Sequence, residues 1–409
     1  MSFQQGLSGL NAAAKNLDVI GNNVANSNTA GFKQGVASFG DVFAASLGGG
    51  GGVEIGIGTQ ISGVGQQFSQ GNVTVTNNPL DIAINGKGFF RMSDGGTISY
   101  TRNGGFSLDK NGYIVGSGGL NLTGFQALAG TIVPGALGNL QLSTSDLLPT
   151  ATATASVGAN LASTDPILPT VGFVATNPAT YNFSTASTVY DSLGQSHTLA
   201  FYFNKTAPNT WVSNVYVDGA VANGTPIVPA LTAESILTFN ANGSFAGATQ
   251  PIKTAVLSNG AANLSITMDY ANMTQYGSGF GVSTMSQDGF ASGQLSGFNV
   301  GVDGVILGRY NNGRSQALGQ IALANFINAQ GLRPTGDSRW AESSESGPAL
   351  TGAPGSASLG AVQSSAKEDS NVDLTAELVN MITAQRVYQA NAQSIKTQDA
   401  VLQTLVNLK

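Results

Sequence analysis

The sequence contains no cysteine, one histidine and few charged residues. The absence of cysteine excludes disulfide bonds and thiolate metal sites. His197 is not part of any motif that supplies a nucleophile and an orienting acid, so the sequence gives no support for triad-type hydrolysis. Charged residues make up 9% of the chain, against about 25% in ordinary soluble proteins. Because charge density is low, copies of this chain repel one another only weakly.

Other absences narrow the partners that the chain could have. The net charge is -6 and no basic patch with interleaved aromatic residues occurs, so we expect no nucleic acid partner. No apolar run reaches the length of about 18 residues that a membrane span needs. Residues 1–5 lack a basic segment followed by an apolar one, so no cleaved Sec signal peptide is expected. The sequence also contains no calcium loop, because Leu120 stands where a loop starting at Asp109 needs an acid. We therefore expect no metal, no cofactor and no enzymatic activity.

The last forty residues differ from the rest of the chain. The protein carries 55 glycines, yet residues 371–409 contain neither glycine nor proline, which predicts one long helix, with Asp369 or Ser370 as its N-cap. Apolar residues recur along it at heptad spacing and form a narrow seam of coiled-coil type. The seam residues are Leu374, Leu378, Met381, Tyr388, Ile395, Leu402 and Val406.

The first residues have the same character. A second seam at heptad spacing is formed by Phe3, Leu7, Leu10, Leu17 and Val24. This helix is predicted to end where asparagine, serine and glycine cluster, and we expect a hinge at Asn26, Asn28, Gly31 and Phe32. We expect the two seams to pack on each other and on copies from other chains. The alternative is a helix pair within one chain, on the side of a globular body.

The residues between the helices are typical of β structure. Residues 31–70 are expected to form a mostly extended connector whose glycine run, 48–52, is either a slack surface loop or a hinge. Alternating residues predict a half-buried strand at 80–85 and another strand at Leu264, Ile266 and Met268. Asp303–Gly304 predicts a tight hairpin turn, and Trp340 is expected to anchor the loop-rich segment 331–360.

A proline-bearing stretch at about 147–170 separates two sets of strands. The predicted fold is mainly β with α-helical termini, and two β-rich domains are nested between the helices. The expected inner helical assembly domain comprises residues 1–30 and 368–409, followed by the 31–70 connector. The first β domain is expected at 71–146 and 285–367, and the inserted outer β domain at 147–284.

Several segments resemble the rod and hook family of axial proteins of the bacterial flagellum. Gly21–Lys33 is similar to the N-terminal signature of that family, and Pro79–Phe90 and Tyr100–Gly104 are similar to motifs of its first β domain. Ser370–Leu374 and Gln385–Asn391 resemble the C-terminal signature. These segments cover both ends of the chain and occur in the family's order.

The length of the chain and a further segment, Val189–Gly194, favour the hook-type members of the family. The resemblance implies a homopolymer that forms a curved, flexible tube, a universal joint that transmits torque from rod to filament. It also implies export by the type III apparatus to the extracellular flagellum, and contacts with hook cap, distal rod and hook–filament junction proteins. The alternatives are a distal rod or related axial adaptor protein and, from another class, a β-rich enzyme, for which no carboxylate cluster or triad is present.

Overall fold

The computed structural model describes residues 2–42, 56, 58–143, 145–169, 173–218, 234–249, 252–255, 257 and 259–407, so the glycine run at 48–52 lies outside the described residues. The chain forms two compact units. Unit 1 comprises Met1–Thr144, Gly297–Arg309 and Ser315–Lys409, and unit 2 comprises Ser145–Ser296 and Tyr310–Arg314.

Each end of the chain carries a long helix, α1 (Ser2–Ala25) and α2 (Leu374–Asn407). The 34 residues of α2 correspond to about 51 Å of helix at 1.5 Å per residue. Its N-cap is Asp373, whose Oδ1 accepts hydrogen bonds from the backbone N–H groups of Thr375 (2.9 Å) and Ala376 (3.1 Å). The prediction that Asp369 or Ser370 caps this helix was wrong, because the chain stays non-helical until Asp373.

The strands that precede unit 2 are β1 (Gly35–Val42), β2 (Gly58–Gln66), β3 (Val73–Val75), β4 (Ile82–Asn85), β5 (Phe89–Asp94), β6 (Thr97–Thr101), β7 (Ser107–Leu108), β8 (Ile114–Val115), β9 (Asn121–Leu128) and β10 (Thr131–Asn139). Those within unit 2 are β11 (Thr154–Asn160), β12 (Phe183–Tyr190), β13 (Ser196–Ala207), β14 (Thr210–Val217), β15 (Ser235–Phe239), β16 (Phe245–Ala248), β17 (Ile252–Ala255), β18 (Leu264–Asp269) and β19 (Gly281–Gln287).

The chain then returns to unit 1 through β20 (Leu295–Val300), β21 (Val305–Tyr310), β22 (Ser315–Ile321), β23 (Leu323–Asn325), β24 (Arg333–Gly336), β25 (Arg339–Ala341), β26 (Leu350–Gly352), β27 (Ala361–Ser364) and β28 (Ala366–Glu368). Short 3-10 helices occur at Ser117–Gly119, Pro178–Thr180 and Ala329–Gly331. The hairpin between β20 and β21 turns where Asp303–Gly304 predicted a turn, but its central residues are Val302 and Asp303. The N–H of Gly304 donates to the carbonyl of Gly301 at 2.9 Å, and Gly304 closes the turn with a φ of 77°.

The main sheet of unit 1 has the strand order β20-β21-β22-β9-β5-β6-β25-β24. The strand predicted at 80–85 is present as β4, but the prediction that it is half-buried was wrong, because residues 80–84 are all buried. Asp81, a polar residue of this alternation, is stable in the interior because its Oδ2 lies 3.2 Å from Nζ of Lys367 and its Oδ1 accepts a hydrogen bond from Asn78. Ala83, which lies on the same face of the strand as Asp81, is small and fully buried.

The predicted connector is more ordered than expected. Within it, β1 and β2 pair antiparallel, in register from Gly35–Gln66 to Val42–Gly58, with a bulge at Ser38/Phe39. The end of this hairpin is held by an aromatic cluster, because Phe68 packs edge-on against Trp340 at 5.4 Å between ring centroids. Trp340 is buried, as predicted, and its indole N–H donates to the Gln66 side chain.

The described residues of unit 2 form two sheets with the strand orders β17-β18-β11-β19 and β12-β13-β14-β15-β16. Side chains from both sheets enclose one core, in which Phe201, Trp211 and Ile266 are almost fully buried. Residues 264–269 alternate strictly between buried and exposed, which confirms the predicted strand. Among the described residues, no helix is both long and apolar enough to span a membrane.

Candidate assembly surface and helix junction

The two terminal helices pack against each other within unit 1. Small residues allow their close approach, since a Cβ at Gly9 would lie 2.9 Å from Oδ1 of Asn391. A Cβ at Gly6 would lie 3.0 Å from Cγ1 of Ile395. Ala384 is also buried at this contact face. The intramolecular helix pair considered as an alternative is therefore present in the chain.

This pairing leaves much of the two predicted seams exposed. Leu10, Leu17, Val24, Met381 and Ile395 are half-buried. The exposed seam residues are Phe3 (43%), Leu7 (44%), Leu374 (44%), Leu378 (44%), Tyr388 (37%) and Leu402 (49%), and the side chain of Val406 lies outside the described residues. Further apolar residues of α2 are exposed with them: Val379, Ile382, Val387 and Val401. The helix pair thus retains an uncovered apolar face.

Near the end of α1 and the start of α2, four polar side chains connect the two helices to the start of β1. They are Asn23, Gln34, Asn371 and Glu377. Asn23 exchanges two hydrogen bonds with the backbone of Gly35, at 2.8 and 2.9 Å. Gln34 donates to Oε1 of Glu377 at 2.6 Å, and its backbone N–H donates to Oδ1 of Asn371 at 2.7 Å. Asn371 also donates to the carbonyl of Gln67 at 2.8 Å. These bonds fix the angle at which the hairpin leaves the helices.

A buried ionic cluster lies next to this network. Oε1 of Glu368 is 2.5 Å from Nζ of Lys33, and its Oε2 is 3.0 Å from Nη1 of Arg102. Lys33 also donates to the carbonyl of Ser69 at 2.7 Å, and Arg102 donates to that of Gly86 at 2.7 Å. The cluster therefore ties the exit of α1, the connector, the first β sheet and the strand before α2 to one carboxylate. We call these three charged residues, Lys33, Arg102 and Glu368, the junction triad.

Burial and charge act in opposite directions within the junction triad. Burial lowers the pKa of Lys33, and the attraction to Glu368 opposes that change. Burial likewise lowers the pKa of Arg102, again opposed by Glu368. The carboxylate therefore compensates two buried cations, which would otherwise be strongly unfavourable inside the protein.

The predicted hinge lies at the exit of α1. Asn26 continues the helical hydrogen bonding to Asn22, and its side chain accepts from Thr29 Oγ1 at 3.1 Å. Gly31 has a φ of 70°, and its N–H donates to the carbonyl of Glu368 at 2.8 Å. Phe32 is half-buried and Asn28 is exposed. The geometry is that of a tight turn docked on the β28 strand.

Comparison with known proteins gives matches along both terminal helices and both β regions. Residues 3–33 match the family of flagella basal body rod proteins, and 363–408 match the C-terminal region of flagellar basal body rod FlgEFG proteins. Residues 83–157 match the flagellar hook protein FlgE/F/G D1 domain, and 160–290 match the flagellar basal body protein FlaE D2 domain. The flagellar hook protein FlgE of Salmonella typhimurium (strain LT2) is 43% identical over 415 residues, covering 100% of both chains. The chain belongs to the flagellar hook protein FlgE family.

Other members of the FlgE family are similar along the whole chain. That of Escherichia coli (strain K12) is 43% identical over 416 residues and that of Borreliella burgdorferi is 32% identical over 451 residues, each covering 100% of this chain. The crystal structure of Helicobacter pylori flagellar hook protein FlgE2 superposes with a TM-score of 0.50 at 16% identity. It covers 65% of this chain and 93% of that one. At this identity the likeness supports the fold alone.

The sequence motifs of the FlgE family contain two residues of the junction triad, Lys33 and Arg102, but not Glu368, and they do not reveal the pairing. Asn23 and Lys33 lie in the N-terminal signature and Arg102 in a β-domain motif, but none was predicted as a site residue. Glu368 and Glu377 were missed as well. No local pattern links Lys33 to Glu368, because 335 residues separate them.

The remaining candidates from the sequence are structural. Asp109 Oδ1 accepts hydrogen bonds from the backbone of Asn111 and Tyr113, which is the predicted turn. His197 is buried, and carboxylates contact both of its ring nitrogens, as expected for a satisfied structural histidine. Within the described part of the chain, no group of three or more His, Cys, Asp or Glu side chains is arranged to hold a metal ion.

Proposed function

We propose that this chain is the structural subunit of the flagellar hook and polymerises with its own copies into a curved, flexible tube that transmits torque from rod to filament. The observation that carries this proposal is the 43% identity to hook proteins across the whole length of both chains. The role is architectural, as in the rest of the family, and uses no catalytic site.

The uncovered apolar face of α2 supports assembly through the helices. In a polymer, copies of the chain would cover residues such as Leu378, Tyr388 and Leu402, which are 37–49% exposed in the single chain. Full burial of such a side chain contributes about 1.5–3 kcal/mol, so covering the half that is still exposed contributes roughly 0.7–1.5 kcal/mol. A groove of about 540 Å³ between α1, α2 and β1, lined in part by Ala12, Asn16 and Val387, leaves further room for a neighbouring copy.

The proposal assigns a separate role to each domain of the chain. Residues 1–30 and 368–409 form the inner assembly domain around a channel, and residues 31–70 form the connector. The β domains, 71–146 with 285–367 and the inserted 147–284, lie outside it. Their few charges favour weak polar contacts that slide as the tube bends.

The remaining partners belong to the same proposal. The subunit reaches the extracellular flagellum through the type III export apparatus. It then meets the hook cap, the distal rod and the hook–filament junction proteins. A distal rod or axial adaptor role is the alternative, and the match of both ends to rod-protein families is compatible with it. It is the weaker alternative because residues 160–290 also match the D2 domain family, which fits the inserted β domain expected of hook-type members.

Negative-stain microscopy of the purified protein tests the proposal, and curved tubes are the expected result. Leu378→Ser should raise the concentration needed for tube formation roughly 3- to 10-fold, since roughly 0.7–1.5 kcal/mol is lost per contact. Gln389→Ser changes an exposed polar residue of the same helix and serves as the matched control. Both variants should keep the circular dichroism of the parent monomer. Equal tube formation by Leu378→Ser would contradict the role of the exposed face.

A further inference from the structure

The single histidine of the chain lies between two carboxylates in unit 2. Nδ1 of His197 is 2.5 Å from Oδ2 of Asp218, and Nε2 is 3.1 Å from Oδ2 of Asp191. A neutral imidazole carries one N–H and one lone pair, so it can donate to only one of these carboxylates. The imidazolium donates to both. The geometry therefore fits the protonated ring.

The three residues lie at the ends of three adjacent strands. Asp191 directly follows β12, His197 is the second residue of β13, and Asp218 directly follows β14. These strands pair antiparallel in this order, with Val189 opposite His197 and Leu199 opposite Val217. An imidazolium at this position thus bridges the ends of β12 and β14 across the central strand.

The surroundings hold each carboxylate in place. Asp191 is fully buried and accepts hydrogen bonds from the backbone of Leu193 and Gln195 and from the side chain of Asn259. Asp218 is half-exposed, and its Oδ1 accepts from the backbone of Thr198 at 2.9 Å. Among the described residues, the charged groups that contact the ring are the two aspartates, and the side chain of Asn259, which donates to Asp191, is neutral.

We infer that protonated His197 latches the ends of β12, β13 and β14, so that unit 2 loses stability when this ring gives up its proton. The latch makes unit 2 more stable in mildly acidic than in alkaline surroundings. This property concerns the folding of unit 2 and holds whether or not the chain polymerises.

The direction of the pH dependence follows from the two shifted groups. Burial opposes a charge on His197, but the hydrogen bonds and attraction of Asp218 and Asp191 outweigh it and raise the pKa above 6.5. A raised folded-state pKa means a contribution that is complete below about 6.5 and lost as the pH rises through the folded value. Burial opposes ionisation of Asp191, but hydrogen bonds from His197 and Asn259 lower its pKa below 3.8. The latch is therefore complete between about pH 4 and 6.5 and weakens above that range.

Histidine NMR gives a direct test, because the chain has one histidine and hence one imidazole Cε1–H resonance. In the full-length folded protein this resonance should titrate above pH 6.5, and Asp218→Asn should move the midpoint downward. Asp218 is half-exposed, so this variant is expected to fold. A midpoint at or below 6.5 in the parent protein would overturn the proposal.

Urea unfolding gives the second readout. In a Trp340→Phe background, Trp211 in the core of unit 2 is the remaining tryptophan and reports on that unit. The unfolding midpoint should fall between pH 6 and pH 8.5, and His197→Gln should remove most of this fall. Asp269→Asn, which changes an exposed carboxylate of the same unit, should keep it. An unchanged pH dependence in His197→Gln would show that the ring is not the latch.

Discussion

At the scale of single residues, Glu368 has the strongest predicted effect because it compensates two buried cations. Glu368→Gln leaves the charges of Lys33 and Arg102 buried with a neutral partner. We expect unit 1 to lose about 3–5 kcal/mol of stability, the usual cost of breaking a buried ion pair from one side. The measurement is urea unfolding followed by Trp340 fluorescence in a Trp211→Phe background.

The control for Glu368→Gln is Lys15→Gln. Lys15 pairs with Asp18 at 3.3 Å, but both side chains are more than 60% exposed. Solvent screens such a pair, so its removal should change stability by less than about 0.5 kcal/mol. Similar losses of stability in the two variants would show that the junction triad does not stabilise unit 1 more than an exposed ion pair does.

Two glycines near the end of α1 should respond in opposite directions. Gly31 has a φ of 70°, and a Cβ there would lie 2.4 Å from the backbone nitrogen of Asn103. Gly31→Ala should therefore destabilise unit 1 by more than about 1 kcal/mol. Gly21 lies inside α1, and a Cβ there would meet nothing within 4 Å, so Gly21→Ala should stabilise the helix by about 0.5–1 kcal/mol. Thermal unfolding of both variants measures the difference, and a shift of the same sign in both would contradict this assignment.

Residue-scale chemistry was only partly predictable. The clustering of asparagine, serine and glycine after Val24 indicated a helix exit, and Asn26 and Gly31 do form one. Partners such as Lys33 and Glu368 could not be paired, because a buried ion pair between distant segments has no periodicity and no local signature. Such pairs become visible only once β28 lies beside the exit of α1.

At the scale of elements, strong periodicity predicted the type of element well, although at 80–85 it predicted the burial wrongly, and weak periodicity did not predict the element. The alternation at 264–268 corresponds to an observed strand. A turn occurs where Asp303–Gly304 predicted one, with its centre one residue earlier, at Val302 and Asp303. The hairpin of β1 and β2 was predicted only as an extended connector. Its strands are rich in glycine, serine and glutamine, so few apolar side chains mark one face. The pairing of β1 with β2 is therefore set by the folded structure and not by a local sequence pattern.

The start of α2 offers a test of one element boundary. Asp373→Ala removes a carboxylate that accepts from two otherwise free N–H groups of the first turn, and should cost about 1 kcal/mol. Asp399→Ala, at an exposed position inside the same helix, should cost nothing or add helicity. Circular dichroism at 222 nm during thermal unfolding measures both. A larger loss in Asp399→Ala would place the cap elsewhere.

At the scale of the whole molecule, the inserted β unit separates the two proposed roles. Replacing about residues 146–284 by a short loop removes most of unit 2 and leaves both helices and the junction triad. If the chain is a hook subunit, cells making this variant should carry hooks with lost or altered curvature, visible by electron microscopy. A distal rod subunit should tolerate the change. An unaltered bend would therefore favour the rod alternative.

The last prediction concerns the state of the helices before assembly. Most side chains of α2 are exposed, and its contact with α1 relies on small or polar residues such as Ala384 and Asn391. Since isolated helices gain most of their stability from packing, we expect α2 to fray in the free subunit and become firm when copies cover it. Trypsin should cut after the exposed Arg386 and Lys396 faster in the monomer than in the polymer. Arg102, which is buried in both states, provides the internal control. Equal resistance of Arg386 and Lys396 in monomer and polymer would mean that the helix pair is complete on its own, and that the apolar face is not where copies join.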